Sequence, residues 1–355
     1  MEATSVQPRR RNAALGGAVA ALFALGVSEL LAGLVSSVPS LIVSIGTGVI
    51  DLAPPAVKDF AIETFGTADK PALIIGIVVL SALFGALLGL GGMRSPAIPT
   101  IGFLVFGALG AIAAIRDPQG ETVPSILVAV TAALAGLVAF LIMTRRSSTG
   151  AGSEAEVDPS RRAFLRSVGA FTLLAGITAV AGRVLVERVK MATNRADVIL
   201  PRAARPLPAP APGTTLNVAG ISPVVTPNDS FYKIDTALSV PRVDLDTWSI
   251  KISGLVDRPY ELTYDDLLDL PMVERYVTLS CVSNQVGGGL VGNAKWLGVP
   301  LIDILEKAGV QAGAEQIVGR SVDGFTVGFP TEAAFDGREA LVAVGMNDEP
   351  LPFDH

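Results

Sequence analysis

The chain has 355 residues, half of them hydrophobic and only 17% charged, with a formal net charge of −6. That is too apolar for an ordinary soluble protein of average composition. One cysteine, Cys281, and one histidine, the terminal His355, exclude an internal disulfide, a multi-cysteine zinc site and Ser-His-Asp hydrolase chemistry.

In chain order, residues 1–12 read as a cytoplasmic N-terminus carrying Arg9, Arg10 and Arg11, and residues 13–144 hold four transmembrane helices. A spanning helix needs about 20 mostly apolar residues, and 13–34, 72–90, 98–115 and 123–143 meet or approach that. The run 41–50 is too short to span and reads as an interfacial or re-entrant piece. Gly85 and Gly89, four residues apart, would allow close helix contact. Glu29 falls inside the first span, where an ionisable group is either functional or a packing or snorkelling contact.

Residues 145–163 form a cytoplasmic loop that ends in Ser160-Arg161-Arg162-Ala163-Phe164-Leu165-Arg166, and 164–186 the fifth span. This stretch matches the twin-arginine export signal, and Phe-Leu after the arginine pair adds nothing to a simple charge anchor. That route carries folded proteins, commonly with a cofactor already loaded. The Lys and Arg distribution puts the N-terminus inside, so everything after the fifth span is extracytoplasmic. Arg161 and Arg162 are thus the expected contacts of the twin-arginine export machinery.

Residues 187–222, rich in Pro and Ala, read as a linker, and 223–355 as an α+β domain with a mixed sheet. Strands are expected around Trp248–Val256 and before Cys281. Helices are expected from Thr263 and from Pro300, with Pro300 in the first turn and Gly309 as the stop. "IVGRSVDGFTVGFP" reads as a hairpin, and "ALVAVGMNDEPLP" as a strand and turn. From Glu187 onward 14 basic residues face 22 acidic ones, a net of −8, which argues against nucleic acid as a partner. Gly287, Gly289 and Gly292 have the spacing of a dinucleotide fingerprint, but no helix follows directly as that fold requires. Such glycines instead let the backbone pass close to something bulky.

Cys281 alone reads as a small buried hydrophobe or as a ligand. Three motifs decide between them. "TLSCVSNQVGGGLVGNAKWLGVPLIDIL", "TPNDSFYKIDT" (226–236) and "MNDEPLPFDH" (346–355) together resemble the sulfite oxidase family of molybdopterin-dependent oxidoreductases, in its bacterial membrane-anchored branch. The likeness runs over residues 223–355. It implies a molybdenum–molybdopterin cofactor, with Cys281 as the catalytic metal ligand, and a soft thiolate suits that metal. Carried over position by position, it also implies that Asp229, Tyr232, Lys233, Asn284, Ser321, Asp323 and His355 contact the cofactor. For Asn284 the plain alternative is a loop-shaping role, and for the 229–233 segment a turn with one aromatic anchor.

The resemblance further implies oxygen-atom transfer on a small oxo-anion or sulfoxide. A separate electron-transfer partner, a cytochrome or a quinone-linked membrane protein, would be required. Lys233 and Asp235 stand where sulfite oxidases proper place a substrate arginine, and an acidic neighbour disfavours a dianion. In the family the "DH" pair continues through a glycine to a cofactor-binding arginine, so the chain is expected to be a C-terminally truncated piece. The rival reading is a membrane protein with a non-catalytic external binding domain. A transporter with a sensory outer domain is the third, disfavoured by the lack of paired charges or an inverted repeat.

Overall fold

A computed structural model describes residues 3–148, 159–192, 198–234, 237–241, 243–353 and 355, which divide into two compact units, Met1–Lys190 and Met191–His355.

The first unit is helical: α1 (Ala3–Leu34), α2 (Leu41–Leu52), α3 (Pro55–Phe65), α4 (Asp69–Gly92), α5 (Ala97–Arg116), α6 (Thr122–Ser148) and α7 (Pro159–Ala192). Among the described residues, five of these are long and apolar enough to cross a membrane, namely α1, α4, α5, α6 and α7. The 41–50 run extends into α2, which turns by 119° into α3, the geometry of a broken span or a re-entrant pair. Large aliphatic side chains cover the outside of the unit as well as its inside. Ile75, Leu80 and Leu87 on α4, and Leu173 and Val180 on α7, are each more than 60% exposed. A helix facing water would carry polar residues there.

Small residues let the helices approach. A Cβ on Gly17 of α1 would stand 2.0 Å from the Gly85 carbonyl oxygen of α4, and one on Gly89 2.0 Å from that of Ala13. Helix α7 joins the same core: Phe164 is fully buried with Met143, Phe103 and Phe140, and Phe171 meets Phe23 edge-on at 5.2 Å. Glu29 is a partnered carboxylate. It accepts from Ser40 Oγ at 2.8 and 2.9 Å and from Ile42 N at 3.4 Å, fastening α1 to the start of α2.

The second unit is α+β. Strands β1 (Ser249–Ile252) and β2 (Tyr260–Thr263) pair with each other, and a four-stranded sheet has the order β3 (Val273–Ser280), β4 (Val291–Pro300), β7 (Leu341–Met346), β8 (Glu349–Pro350). Strands β5 (Gln316–Arg320) and β6 (Thr326–Pro330) form the expected hairpin. Helices α8 (Tyr264–Leu268), α9 (Leu301–Ala308) and α10 (Glu332–Phe335) complete it. Every ladder between these strands is antiparallel, which corrects the expected mixed sheet. The connection from β4 through α9, the hairpin and α10 brings β7 back antiparallel. Among the described residues, the one parallel contact with these strands is an isolated bridge, Arg205 to Val273.

Through that bridge residues 200–207, inside the Pro-rich stretch, lie along the free edge of β3. Ala204 N donates to Met272 O at 2.8 Å, Leu207 N donates to a Glu274 carboxylate oxygen at 2.7 Å, and Leu200 joins the core. Pro300 is the last residue of β4 and the N-cap of α9, one position earlier than expected, while Gly309 ends α9 at φ +70°. Thr263 and Asp266 form a capping box at α8. The core is Leu267, Met272, Val299, Ile304 and Val344, where truncating a large side chain to alanine costs about 2–5 kcal/mol.

Candidate functional site

Cys281 is the first residue beyond β3, half-buried. The β3–β4 ladder ends at Ser280–Val291, and Cys281 N extends it by one bond to Leu290 O at 2.9 Å. The ten-residue loop that follows is closed at its neck by Asn284. Its N–H donates to Cys281 O, and its Oδ1 accepts from Leu290 N, both at 2.9 Å. The side-chain oxygen of Asn284 is therefore used in shaping the loop that presents the thiol. The glycine run fits around it: Gly287 has φ +76°, and a Cβ on Gly288 would meet Asn284 Oδ1 at 2.6 Å. The run leads into strand β4, not a helix, so no dinucleotide turn is formed.

A Cβ on Gly287 or Gly289 would meet nothing within 4 Å, so of Gly287, Gly289 and Gly292 only the last accommodates a bulky group, Phe231. Its ring is buried with Ala294 and Met346 and lies directly over Gly292. It stacks on Tyr232 at 5.4 Å and meets Trp296 and His355 edge-on at 6.0 and 5.4 Å. His355 is held by this ring and by Nε2, 3.3 Å from Tyr232 O. Its other ring nitrogen, Nδ1, is buried with no partner among the described residues, an arrangement that native structures rarely leave unexplained.

Burial first, and the charge of Cys281 second, push the Tyr232 hydroxyl above the usual tyrosine range. Tyr232 therefore lies within electrostatic reach of the thiol. Asp229 and Lys233 are exposed on the same irregular segment, with Asp229 accepting from Ser230 Oγ at 2.9 Å. Three separated stretches thus meet: the 224–234 segment, the cysteine loop with β4, and the end of the chain.

Ser321 and Asp323 occupy the turn of the β5–β6 hairpin. There the Ser321 hydroxyl bonds the Asp323 carboxylate, which also accepts from Phe325 N at 3.2 Å. Both are accounted for as turn residues. Asp235 and the side chain of Arg161 lie outside the described residues, and Arg162 is exposed on α7. Among the described residues, no three His, Cys, Asp or Glu side chains gather as a metal site. What this unit offers a metal at Cys281 is one thiolate.

Sequence reasoning missed Phe231, Asn293 and Asn347. Phe231 had a usable signal, an aromatic pair in an otherwise polar segment. The two asparagines had none beyond the turn signal at Asn347-Asp348.

Residues 237–355 match the family model described as "Oxidoreductase molybdopterin binding domain". The chain is 33% identical over 112 residues to "Uncharacterized oxidoreductase YuiH" of Bacillus subtilis, covering 32% of this chain and 54% of that protein. It is 32% identical over 152 residues to mitochondrial sulfite oxidase of Drosophila melanogaster, covering 37% and 26%. It is 31% identical over 144 residues to "Nitrate reductase [NADH] 1" of Oryza sativa subsp. japonica, covering 33% and 16%. The match thus spans about half of the Bacillus protein and less of the other two. A solved structure, the sulfane dehydrogenase SoxCD of Paracoccus pantotrophus, aligns over 38% of each chain at 23% identity with a TM-score of 0.35, too low to bear on the fold.

Proposed function

We propose that this chain, which carries a molybdopterin-binding oxidoreductase domain of the sulfite oxidase family, is a membrane-anchored molybdoenzyme acting on a small oxo-anion or sulfoxide. The observation that carries this is the convergence of three motifs. The 224–234 segment, strand β4 leading from the Cys281 loop, and the 346–355 stretch with His355 are far apart in sequence and meet around the Phe231 ring.

The residues fit the cofactor. Cys281 supplies a single half-exposed thiol at a strand end, and a soft thiolate is the ligand such a metal takes. When bound, the molybdenum cofactor supplies oxygen-atom transfer. Cys281 would hold the metal, and the orphaned Nδ1 of His355 has hydrogen-bonding capacity for a polar group of the pterin. Lys233 would offer a cation to the pterin phosphate, with Asp229 and Tyr232 beside it. Tyr232 keeps its proton to higher pH than an ordinary tyrosine, and the neutral phenol is a hydrogen-bond donor.

The apolar exteriors of α4 and α7 support burial of the helical unit in a bilayer. The charge distribution and the twin-arginine stretch support an extracytoplasmic catalytic unit. Electrons would be exchanged with a separate cytochrome or a quinone-linked membrane protein.

The test is molybdenum per chain by elemental analysis, on the full-length membrane protein from a pterin-producing host, with Cys281→Ser alongside. About one metal per chain is expected, with the variant empty or inactive. An empty wild-type protein, or a variant that keeps both its metal and its activity, overturns the assignment and favours a non-catalytic external domain.

A further inference from the structure

The 224–234 segment carries no regular secondary structure, yet it brings Phe231 and Tyr232 to the site. Two asparagines fasten its first half to the sheet. Asn293 on β4 donates from Nδ2 to Val224 O at 2.5 Å, and exchanges bonds with Thr226: Thr226 N to Asn293 O at 2.7 Å, Asn293 N to Thr226 Oγ1 at 3.1 Å. Asn347 reaches it from the β7–β8 turn. Its Nδ2 donates to Thr226 O at 2.9 Å and to Asn228 Oδ1 at 2.8 Å, while its Oδ1 accepts from Lys295 N at 2.9 Å. Asn228 returns a bond to Met346 O at 3.1 Å.

Asn347, itself in the 346–355 stretch, therefore bonds both of the other stretches that make the site. Its backbone has φ +51°, followed by Asp348 at +68°, a turn that Asn, Asp and Gly all tolerate. The turn alone would not single out asparagine. The clamp does, because only an amide both accepts from β4 and donates twice to the segment.

We propose that Asn347 is a positioning residue of the cofactor site, fixing the 224–234 segment so that Tyr232 stands within reach of Cys281. The reading rests on the molybdopterin assignment above, but the clamp itself is measurable without cofactor. Asn347→Asp is the discriminating variant. It keeps the turn and the acceptor for Lys295 N, and it loses both donors while setting a carboxylate against Thr226 O. Asp348→Gly, which keeps the turn and the amide clamp and removes only the ion pair of Asp348 with Lys295 Nζ, is the control.

Hydrogen exchange is measured on the full chain, metal-free and loaded. In Asn347→Asp, exchange of the 224–234 peptide is expected to rise about tenfold, the scale of one net hydrogen bond, with the strand peptides unchanged. Molybdenum and pterin content should fall several-fold, and the absorption spectrum of the remaining loaded protein should shift. Asp348→Gly should match wild type. An unchanged 224–234 peptide, exchange spread over the whole sheet, or full loading despite a loosened segment each overturns the proposal. A wild-type chain without molybdenum overturns its cofactor half together with the assignment, and the metal-free exchange still decides the clamp.

Discussion

Gly292 lies beneath the ring of Phe231, and a Cβ there would stand 2.5 Å from its Cε2 atom and 2.8 Å from Cδ2 and Cζ. The ring cannot yield freely, since it is buried against Ala294 and Met346. Gly292→Ala is expected to destabilise the C-terminal unit by about 1–3 kcal/mol, the usual cost of overpacking. Both tryptophans, Trp248 and Trp296, belong to that unit, so their fluorescence reports its unfolding alone. A lowered midpoint in Gly292→Ala, partly restored by adding Phe231→Leu, is the expected outcome. No shift would mean that the ring sits elsewhere.

Tyr232 gives a pH signature. Its hydroxyl is raised by burial and then by the charge on Cys281, so the folded state favours the neutral phenol. The stability this contributes is present below the unfolded value of about 10 and is lost as pH rises through the folded one. In metal-free Cys281→Ser the second cause disappears, so Tyr232 should ionise at lower pH than in wild type. Phenolate absorbance, with Tyr232→Phe subtracted to isolate this residue, measures it. Equal titrations in both proteins would show that the two groups are not coupled.

Much of this was legible because it rests on local or periodic signals. The five apolar runs correspond to long helices, and Gly85 and Gly89 face another backbone closely, as their spacing suggested. Cys281 sits at a strand end, as the strand-like run ahead of it suggested, since β3 stops at Ser280. Other features have no periodic signature. Strand direction between β4 and β7 depends on a connection through two helices and a hairpin, so the mixed sheet was misjudged. The edge contact of Arg205 with Val273 depends on pairing across 68 positions in an aperiodic, Pro-rich segment. The Asn347 clamp joins residues 119 and more apart through side-chain amides, and a turn-forming asparagine looks the same with or without that task.

The start of α8 offers a second pH test in the same unit. Thr263 Oγ1 accepts from Asp266 N at 3.1 Å, and an Asp266 carboxylate oxygen accepts from Thr263 N at 2.9 Å and from its hydroxyl at 2.6 Å. The Thr263 side chain first, then its backbone N–H, hold Asp266 below the usual carboxylate range. A depressed folded value contributes stability above the unfolded one and loses it as pH falls through the folded one. Thr263→Val should therefore lower the tryptophan-reported midpoint at neutral pH, with the gap closing as Asp266 is protonated in acid. A gap that stays constant down to acid would place the loss in the backbone cap alone.

The glycines of α4 separate a packing face from an outward one. A Cβ on Gly85 would stand 2.3 Å from Gly17 O and 2.6 Å from the Ala21 Cβ, whereas one on Gly76 meets nothing within 4 Å. Relief at Gly85 requires α1 and α4 to move apart as whole helices, because the obstacle is backbone, and small residues at such crossings set the approach distance. Gly85→Ala is expected to lower the thermal stability of the purified protein in detergent by several degrees and to reduce the yield of monodisperse protein. Gly76→Ala should be neutral, or stabilising by about 0.5–1 kcal/mol through the backbone entropy that glycine gives up in a helix. Size-exclusion profiles after heating, run on both variants with wild type, decide the matter. If the two substitutions behave alike, α1 and α4 do not meet through Gly17 and Gly85.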